Sequence, residues 1–415
     1  MKIAVIDTHT SGHHFIYTAH FCKVLLELGH EVHAFYPDTR SLSTWVSANC
    51  PQREASFTAI EQNDIDFRSN RFKSYISLVK PVFKWARLLR TLKRENIQPD
   101  LLFFAYLDSF IFLKFGNFLI DLICPFNWSG LYIMASQRRL PLASRPLHSR
   151  DETFRSKRCN FAAVLDEGIS ADLAADCKIP VIRFPDFADA THPDMDFIAI
   201  QDIKVKAKQR HVIGIVGTLA ARKGMITLLH ASEKLVNSNL FFVFAGPLSE
   251  QTFTAAEMNY ITELQEKSPE NCYFYFNPIL NESEFNALIY ACDVIFLGYT
   301  EFFGSSNLLT KAAIFKKIVL ASEDYCIGER VERYQLGEVF DPDDLDQCIT
   351  KLLHLAKKDY YQRVHSNALF QQLEQDHNLA KLPEIFEILL NNIQPVKRIG
   401  QHFELSKNIK SYLGL

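Results

Sequence analysis

The sequence predicts two doubly wound α/β domains, each a parallel sheet covered by helices. Apolar strand-like runs alternate with amphipathic segments along the chain, and this alternation stops once and then begins again. The length supports the same prediction, because 415 residues exceed what one hydrophobic core normally organises.

In the first half, the strand at residues 3–6 is followed by the loop DTHTSGHH and a helix. That helix should end near Leu28, because a glycine such as Gly29 commonly follows the last turn of a helix. The strand EVHAFY comes next, and further strands are predicted at residues 101–106, 131–134, 162–165 and 181–184.

The stretch FPDFADATHPDMD, residues 184–196, is interpreted as a linker because of its Pro and Asp content. After it come five buried-type strands, in VIGIVG, LFFVFAG, CYFYFN, VIFLGY and KIVLAS. We therefore predict a first domain over residues 1–195, a second over 196–393, and a separate tail over 394–415.

Composition excludes several classes of protein. The chain is 48% hydrophobic and 22% charged, as in folded globular proteins. A net charge of −3 argues against nucleic acid as a partner. Nine cysteines without a C-x-x-C pair indicate a reducing compartment, and Asp7 interrupts the first apolar run, which is then too short for a signal peptide. A cytoplasmic protein is expected.

The stretch GTLAARKGM predicts a strand-to-helix turn that carries two cations. Such a turn directs backbone N–H groups and the positive end of a helix dipole at one point, which favours a phosphate. Gly217, Arg222 and Lys223 are therefore candidate phosphate-binding residues. The alternative is that the cations only begin a solvated helix.

Ligands of doubly wound sheets bind at the carboxyl ends of the strands, so two facing domains would form a cleft. Gly12, Arg222 and Lys223 should lie on it. A second phosphate-facing helix start is predicted in GSSNLL, from the amides and hydroxyls of Gly304, Ser305 and Ser306.

Three side chains of the first half are candidates for acid–base chemistry. His13 and His14 follow Gly12, and because adjacent helical residues point in different directions, at most one should face the cleft. A histidine there suits a hydrogen bond to a phosphate or a reacting hydroxyl. Asp108 follows the strand LLFFAYLD. We select His13 and Asp108 as catalytic candidates, with helix capping or packing as the alternative.

Metal ligands find little support. NDID, at residues 63–66, resembles a D-x-D pair but follows no buried strand, and THPDMD has no partner cluster. Both are interpreted as solvated loops, and no metal is predicted.

Residues 80–95 predict a basic amphipathic helix that begins at Pro81. Its apolar stripe would contain Val82, Ala86, Leu89 and Leu92, and its basic face Lys84, Arg87 and Arg94. Such a helix can lie on an anionic membrane, or it can be an ordinary domain helix with a solvated face.

Three stretches together resemble the donor domain of retaining GT-B glycosyltransferases, a group that includes sucrose synthases and many bacterial polysaccharide glycosyltransferases. They are GTLAARKGMITLLHA, FFVFAGP and EFFGSSNLLTKAAIFKKIVLAS, and SGHHFIYTAHFCKVLLELGHEV is similar to the start of the same fold. The resemblance implies two Rossmann-like domains across a cleft, with Arg222 and Lys223 on the diphosphate of a nucleotide sugar. It also implies a tail that crosses back to the first domain.

The chain departs from that family at two places. The E-x7-E signature has Glu301 as its first member, implied to contact the sugar, but Leu309 stands at the strict second position. Alignment from KKIVLAS puts Lys311 there, near the ribose or phosphates. The family's His after GLYIMASQRR is also missing, since Ser136 and Gln137 occupy that neighbourhood.

The resemblance implies a retaining, metal-independent glycosyltransferase without a cofactor, acting on a nucleotide sugar and a glycan, lipid or protein acceptor. A non-catalytic partner subunit and a sugar-nucleotide epimerase remain open. A dehydrogenase is disfavoured because DTHTSGHH is not G-x-G-x-x-G.

Overall fold

A computed structural model describes residues 1–10, 14–64, 73–112, 116–140 and 150–393. Contacts divide the chain into two compact units: Met1–Phe184 together with the chain from Ala380, and Pro185–Leu379. Gly12, His13, Asp66 and the tail over 394–415 lie outside the described residues, so the predictions on them stay predictions.

The first unit is built on a seven-stranded parallel sheet in the order β3-β2-β1-β4-β5-β6-β7. Its strands are β1 (Lys2–Ile6), β2 (Glu31–Tyr36), β3 (Phe57–Glu61), β4 (Leu101–Phe104), β5 (Trp128–Tyr132), β6 (Cys159–Val164) and β7 (Val181–Arg183). Its helices are α1 (His14–Glu27), α2 (Thr39–Asn49), α3 (Lys73–Arg94), α4 (Gly116–Ile123) and α5 (Glu167–Cys177), joined near the end of the chain by α15 (Leu382–Asn391).

The second unit is built on a six-stranded parallel sheet in the order β10-β9-β8-β11-β12-β13. Its strands are β8 (His211–Val216), β9 (Leu240–Ala245), β10 (Cys272–Tyr275), β11 (Val294–Leu297), β12 (Ile318–Ser322) and β13 (Gly337–Phe340). Its helices are α6 (Ile198–Ala207), α7 (Met225–Lys234), α8 (Ala255–Lys267), α9 (Glu282–Ala291), α10 (Asn307–Ile314), α11 (Tyr325–Arg333), α12 (Leu345–Leu355), α13 (Lys358–Asn367) and α14 (Phe370–Asp376).

The two doubly wound α/β domains are confirmed, and every strand predicted in either half is present. The sequence missed β3 and β13, which lie at sheet edges and are only partly buried. Central strands of parallel sheets are apolar on both faces, whereas an edge strand such as FTAIE mixes polar and apolar residues. The helix stop at Gly29 is also confirmed, since this residue has φ +90° after the last turn of α1.

The stretch 184–196 connects the two units, as predicted, but residues 185–187 are buried in the second unit, whereas 190–192 and 195–196 are exposed. Asp186 is buried, its Oδ2 lies 3.0 Å from Nη1 of Arg330, and its backbone carbonyl accepts a 2.8 Å hydrogen bond from Thr310 Oγ1. The chain therefore joins the second unit from Pro185, eleven residues before the expected start of the second domain at 196. It returns to the first unit at Ala380, where α15 packs on α1.

Helix α3 differs from its prediction in two respects. It begins at Lys73, so Pro81 lies inside the helix and not at its first position. Lys84 is buried on the inward face with Trp85, and its Nζ lies 2.7 Å from Oδ1 of Asp64. The exposed basic face therefore consists of Arg90, Lys93 and Arg94, with Arg87 half-buried beside them.

All nine cysteines are buried and free of disulfides. Among the helices that the structure describes, none combines the length and the apolar character needed to cross a bilayer.

Candidate functional site

The predicted strand-to-helix turn lies between β8 and α7. After β8 ends at Val216, the chain makes a short 3-10 turn over Ala221–Lys223 and enters α7 at Met225. Gly224 has φ +75°, and a Cβ there would lie 2.1 Å from the carbonyl oxygen of Gly298. Only glycine fits this close approach, which holds the turn against the end of β11.

Arg222 is exposed and fixed by the loop after β11. Its guanidinium carbon lies 4.8 Å from the ring centroid of Phe302 and 5.6 Å from that of Tyr299. Its backbone carbonyl accepts a 2.8 Å hydrogen bond from the N–H of Thr300. The two rings hold the cation without neutralising it.

Lys223 points back toward the end of β8. Its Nζ is 3.6 Å from the place where a Cβ of Gly217 would lie, so the absence of a side chain at Gly217 leaves room for the ammonium. Burial, and secondly the charge of Arg222, lower the pKa of Lys223 to about 8. Within the part of the chain that the structure describes, neither Arg222 nor Lys223 forms an ion pair with a carboxylate.

The predicted helix start in GSSNLL is confirmed, since α10 begins at Asn307 with Ser306 as its N-cap residue. The Ser306 hydroxyl lies 3.3 Å from Tyr299 Oη, and its side chain caps no amide of the helix. Gly304 is buried, and Ser305 is half-buried. The first turn of α10 therefore keeps amides that an anion can use.

Glu301 lies in the loop between β11 and α10, next to the Phe302 ring that supports Arg222. It is exposed and has φ +51°, a left-handed conformation that few side chains adopt. Positive φ in a non-glycine residue is found preferentially at ligand-binding loops. Leu309, at the strict second position of the signature, is fully buried.

Lys311 has a different environment from the one expected. It is buried, and its Nζ donates to Asp189 O at 3.0 Å, Glu282 Oε2 at 2.7 Å and Asn286 Oδ1 at 2.6 Å. An ammonium has three N–H donors, so these acceptors leave none for a ribose or phosphate. Lys311 instead clamps α9 and the segment after Pro185 to α10.

In the first unit, the prominent constellation is an Asp–His pair that the sequence did not predict. Asp7, at the end of β1, is buried, and its Oδ2 accepts a 2.8 Å hydrogen bond from Nδ1 of His14 at the start of α1. Thr18 Oγ1 also donates to Oδ2, at 3.3 Å. Burial opposes ionisation of Asp7, but the hydrogen bonds from His14 and His9 outweigh it and lower its pKa. Because Nδ1–H donates to the carboxylate, a neutral His14 carries its basic lone pair on Nε2.

His9 extends this pair into a charged chain. Its Nδ1 lies 3.6 Å from Asp7 Oδ1, and its Nε2 lies 3.5 Å from Oδ2 of Asp64. Interactions with Asp64 and then with Asp7 raise the pKa of His9 to about 9, against the effect of burial, so His9 is a cation at neutral pH. Asp64 belongs to NDID, which was expected to be a solvated loop, but it is instead an ion-pair partner of His9 and Lys84.

Asp108 is held by backbone amides. It is buried just after β4, and its two carboxylate oxygens accept hydrogen bonds from Ile133 at 2.9 Å and from Met134 at 2.7 Å. Burial raises the pKa of Asp108 to about 6, although these amides oppose the shift. The carboxylate therefore ties the end of β4 to the segment after β5, which indicates a structural role beside the catalytic one predicted for it.

Asp7, His9 and His14 also satisfy a simple geometric condition for a metal, because each offers a ligand atom within 4.8 Å of the others. Imidazole binds a metal only when neutral. A metal would therefore displace the proton that Asp64 and Asp7 stabilise on His9.

Comparison with known proteins identifies the second unit. Residues 196–369 match the model of the family "Glycosyl transferases group 1". No curated protein sequence matches the chain.

Solved structures match nearly the whole chain. Sucrose-phosphate synthase from Thermosynechococcus elongatus is 16% identical, with a TM-score of 0.68 over 94% of this chain and 100% of that one. A UDP-forming α,α-trehalose-phosphate synthase from Burkholderia vietnamiensis is 13% identical, with a TM-score of 0.64 over 96% and 99%. Anabaena HepE in complex with UDP is 12% identical, with a TM-score of 0.63 over 95% and 100%.

At 12–16% identity, the solved structures show a shared fold only. The family match is a sequence match, and its range includes Arg222 and Lys223. Residues 196–369 are similar to the glycosyl transferases group 1 family, and the chain has the two-domain fold of the GT-B glycosyltransferases.

Proposed function

We propose that this protein transfers a sugar from a nucleotide diphosphate sugar to an acceptor hydroxyl, with retention at the anomeric carbon. Its role would be in the synthesis of a polysaccharide, glycolipid or other glycoconjugate. One observation carries the proposal: in a region similar to the glycosyl transferases group 1 family, two cations stand at a strand-to-helix turn without an acidic partner among the described residues.

This arrangement suits the chemistry of the leaving group. As the glycosidic bond breaks, negative charge develops on the nucleotide diphosphate, and fixed cations with helix-end amides stabilise that charge. Arg222 offers a two-pronged guanidinium and Lys223 a compact ammonium, while the N-terminus of α10 adds backbone donors. No metal is needed in this scheme. Because HepE was solved with UDP, uridine diphosphate sugars are the first donors to test.

The exposed face of α3 supports a further part of the proposal, which is peripheral contact with an anionic membrane. Arg90, Lys93 and Arg94 are exposed there, and Phe83 is 39% exposed on the same helix. Cations beside an apolar side chain are typical of segments that lie on anionic headgroups. The protein would then act from the cytoplasm at the inner face of a membrane.

Incubation with labelled sugar nucleotides tests the function. A glycosyltransferase transfers the sugar to an acceptor or slowly hydrolyses the donor, an epimerase returns a changed sugar nucleotide, and a partner subunit does neither. Proton NMR of the glycoside formed by transfer, whose anomeric centre does not mutarotate, determines the anomeric configuration. A product with inverted configuration would contradict the proposal of retention but not that of sugar transfer.

Two additions test the other parts of the proposal. Chelation with EDTA should leave the rate unchanged, and restoration of lost activity by a divalent metal would contradict metal independence. Sedimentation with phosphatidylglycerol vesicles should exceed that with phosphatidylcholine vesicles and should fall at high salt.

A further inference from the structure

The first unit contains a cavity of about 480 Å³ at the carboxyl ends of its central strands. His9 follows β1, Tyr106 and Asp108 follow β4, and Met134 follows β5. Helix α3 and Arg150 complete the wall. The volume lies within the range of small-molecule sites in proteins.

The wall of this cavity is strongly basic. Lys80, Lys84, His9 and Arg150 all line it, and His9 is protonated at neutral pH. Asp64 is the carboxylate that the first three share, with Nζ of Lys84 at 2.7 Å, Nζ of Lys80 at 3.3 Å and Nε2 of His9 at 3.5 Å. Asp7 contacts His9 on its other side, at 3.6 Å, and Asp108 lies in the same wall. Four cations therefore face three carboxylates, and a positive charge is left over.

Two polar atoms in the same wall need an acceptor or a donor. Arg150 Nη2 donates to the backbone carbonyl of Asp108 at 3.0 Å, but its Nε is buried and finds no hydrogen-bond partner among the described residues. The hydroxyl of Ser109 is also buried and also has no hydrogen-bond partner among the described residues. Buried polar atoms without partners are uncommon in folded proteins and indicate an absent ion or ligand.

An anion with several acceptor oxygens would satisfy both the excess charge and the unpartnered atoms. Asp108 does not fill this role, since its carboxylate oxygens accept from the amides of Ile133 and Met134, while Arg150 Nε and Ser109 Oγ stay without a partner among the described residues. A phosphate can accept from the guanidinium, an ammonium and a hydroxyl together. A neutral sugar would leave the positive charge uncompensated.

We propose that this cavity binds a phosphate group carried by the acceptor, so that the acceptor substrate is a phosphorylated molecule. The inference rests on the proposed function only in calling this ligand the acceptor. Phosphate binding in the cavity is a separate property of the first unit. The phosphate can belong to a soluble sugar phosphate or to a lipid headgroup, since both present the same oxygens.

Calorimetric titration tests the site with inorganic phosphate, glucose 6-phosphate and glucose. We expect both phosphates to bind and glucose to bind at least tenfold more weakly. Arg150→Gln should weaken both phosphates at least tenfold, and Lys80→Gln should weaken them less, since Lys80 also pairs with Asp64. Arg40→Gln, an exposed arginine on α2, is the matched control and should change nothing.

The diphosphate turn of the second unit is a competing place for inorganic phosphate, so Arg222→Ala is titrated in parallel. Phosphate binding that is lost in Arg222→Ala but intact in Arg150→Gln would overturn the proposal, as would equal affinities for glucose and glucose 6-phosphate. Melting curves check that each variant folds, and Lys80→Gln provides the test if Arg150→Gln does not.

Two further measurements separate the related questions. UDP affinity should be the same in the wild-type protein and in Arg150→Gln, so failure to bind UDP would count against the proposed function and not against the phosphate site. Dihexanoyl phosphatidic acid identifies the source of the phosphate: tighter binding than glucose 6-phosphate, still lost in Arg150→Gln, supports a lipid acceptor. The reverse order supports a soluble one.

Discussion

The guanidinium carbon of Arg222 lies 4.8 Å from the centroid of the Phe302 ring. The loop after β11 thus holds a cation that belongs to the loop after β8. A long exposed side chain normally loses considerable conformational entropy when it binds a ligand. Because Phe302 and Tyr299 already restrict Arg222, less of that entropy remains to be lost when a diphosphate binds.

Arg222→Ala should therefore lower turnover strongly while the protein remains folded. Removal of one donor that stabilises developing negative charge costs about 3 kcal/mol, or roughly a hundredfold in rate. Because Arg222 is exposed, the melting temperature of the Arg222→Ala variant should be close to that of the wild type. Arg222→Lys should keep part of the activity, because a point charge cannot make the two-pronged contact.

Arg363 provides the matched control, since its guanidinium carbon lies 4.9 Å from the Tyr360 ring on an exposed helix of the same unit. Arg363→Ala should have wild-type kinetics. Equal losses of turnover in Arg222→Ala and Arg363→Ala would mean that Arg222 is only a solvated residue at the start of a helix.

Lys223 predicts a pH dependence of donor binding. Its pKa is about 8 in the free protein, so the ammonium is lost as the pH rises through that value. UDP affinity should therefore fall between pH 7.5 and about 8.5, a range above the last phosphate pKa of about 6 and below the titration of the uracil ring. Lys223→Gln should bind UDP weakly and without this pH dependence, whereas Lys223→Arg should keep its affinity at high pH.

Deprotonation of Lys223 should affect folding in the opposite direction: it weakens UDP binding but increases the free energy of unfolding. The folded pKa of about 8 lies below the ordinary value of 10.5, so the unfolded chain binds more protons between these limits. The unfavourable contribution of Lys223 is complete below pH 8 and is relieved as the pH rises. Unfolding of wild type and Lys223→Gln at pH 7 and pH 10 measures this, and a larger destabilisation of wild type relative to the variant at pH 10 would contradict it.

Glu301 predicts a separation between turnover and nucleotide affinity. If its carboxylate contacts the transferred sugar, Glu301→Gln should reduce kcat at least tenfold and leave the Kd for UDP almost unchanged. The amide keeps the size of the side chain, so the loop should retain its conformation. Glu301→Gly, which suits the φ of +51°, should be at least as stable as wild type and equally impaired. Parallel losses of kcat and UDP affinity would argue against the sugar contact.

Lys311 predicts an effect on folding. Lys311→Met would leave the acceptors on Asn286 and Asp189 without their donor, and a buried polar group without a partner costs about 1–3 kcal/mol. We expect a loss of about 2 kcal/mol in the free energy of unfolding, since Glu282 is 43% exposed and can be hydrated. Lys234→Met is the control, because its pair with Asp346 is exposed on both sides and contributes little. A stable Lys311→Met that loses UDP binding would restore Lys311 as a nucleotide ligand.

Features that depend on neighbouring residues could be predicted from the sequence, whereas contacts between distant residues could not. The central strands and the turn with Arg222 could be predicted, because continuous apolar runs and a strand-to-helix punctuation are local patterns. The role of Lys311 could not be, since its partners Asp189 and Glu282 are distant in sequence. The burial of Lys84 could not be predicted for the same reason, because its partner Asp64 lies twenty positions earlier.

The Asp7–His14 pair was also beyond the reach of the sequence pattern. In the sequence, Asp7 only ends an apolar run, and the prediction selects His13 and not the adjacent His14. The signal was a carboxylate at the end of β1 with a histidine one loop later, at the start of α1. This spacing places both groups at the carboxyl edge of the sheet, where doubly wound folds bind their ligands.

His14 predicts a loss of acceptor chemistry without a loss of donor binding. Its Nδ1–H is fixed on the buried carboxylate of Asp7 at 2.8 Å, which orients the ring and makes Nε2 the basic nitrogen. A positioned histidine that exchanges a proton with a reacting hydroxyl contributes roughly 100- to 10,000-fold in rate. We expect His14→Gln to lower transfer by at least a hundredfold, with unchanged UDP affinity.

Asp7→Asn tests the same pair through its orientation. The amide keeps the size of the side chain but can present its NH2 group to Nδ1, which would favour the wrong tautomer of His14. It should therefore reduce transfer nearly as much as His14→Gln, and the double variant should be no worse than either single one, because the two residues act as a unit. Additive losses would mean that Asp7 and His14 act separately. Wild-type transfer by a folded His14→Gln would make the pair a structural cap between β1 and α1.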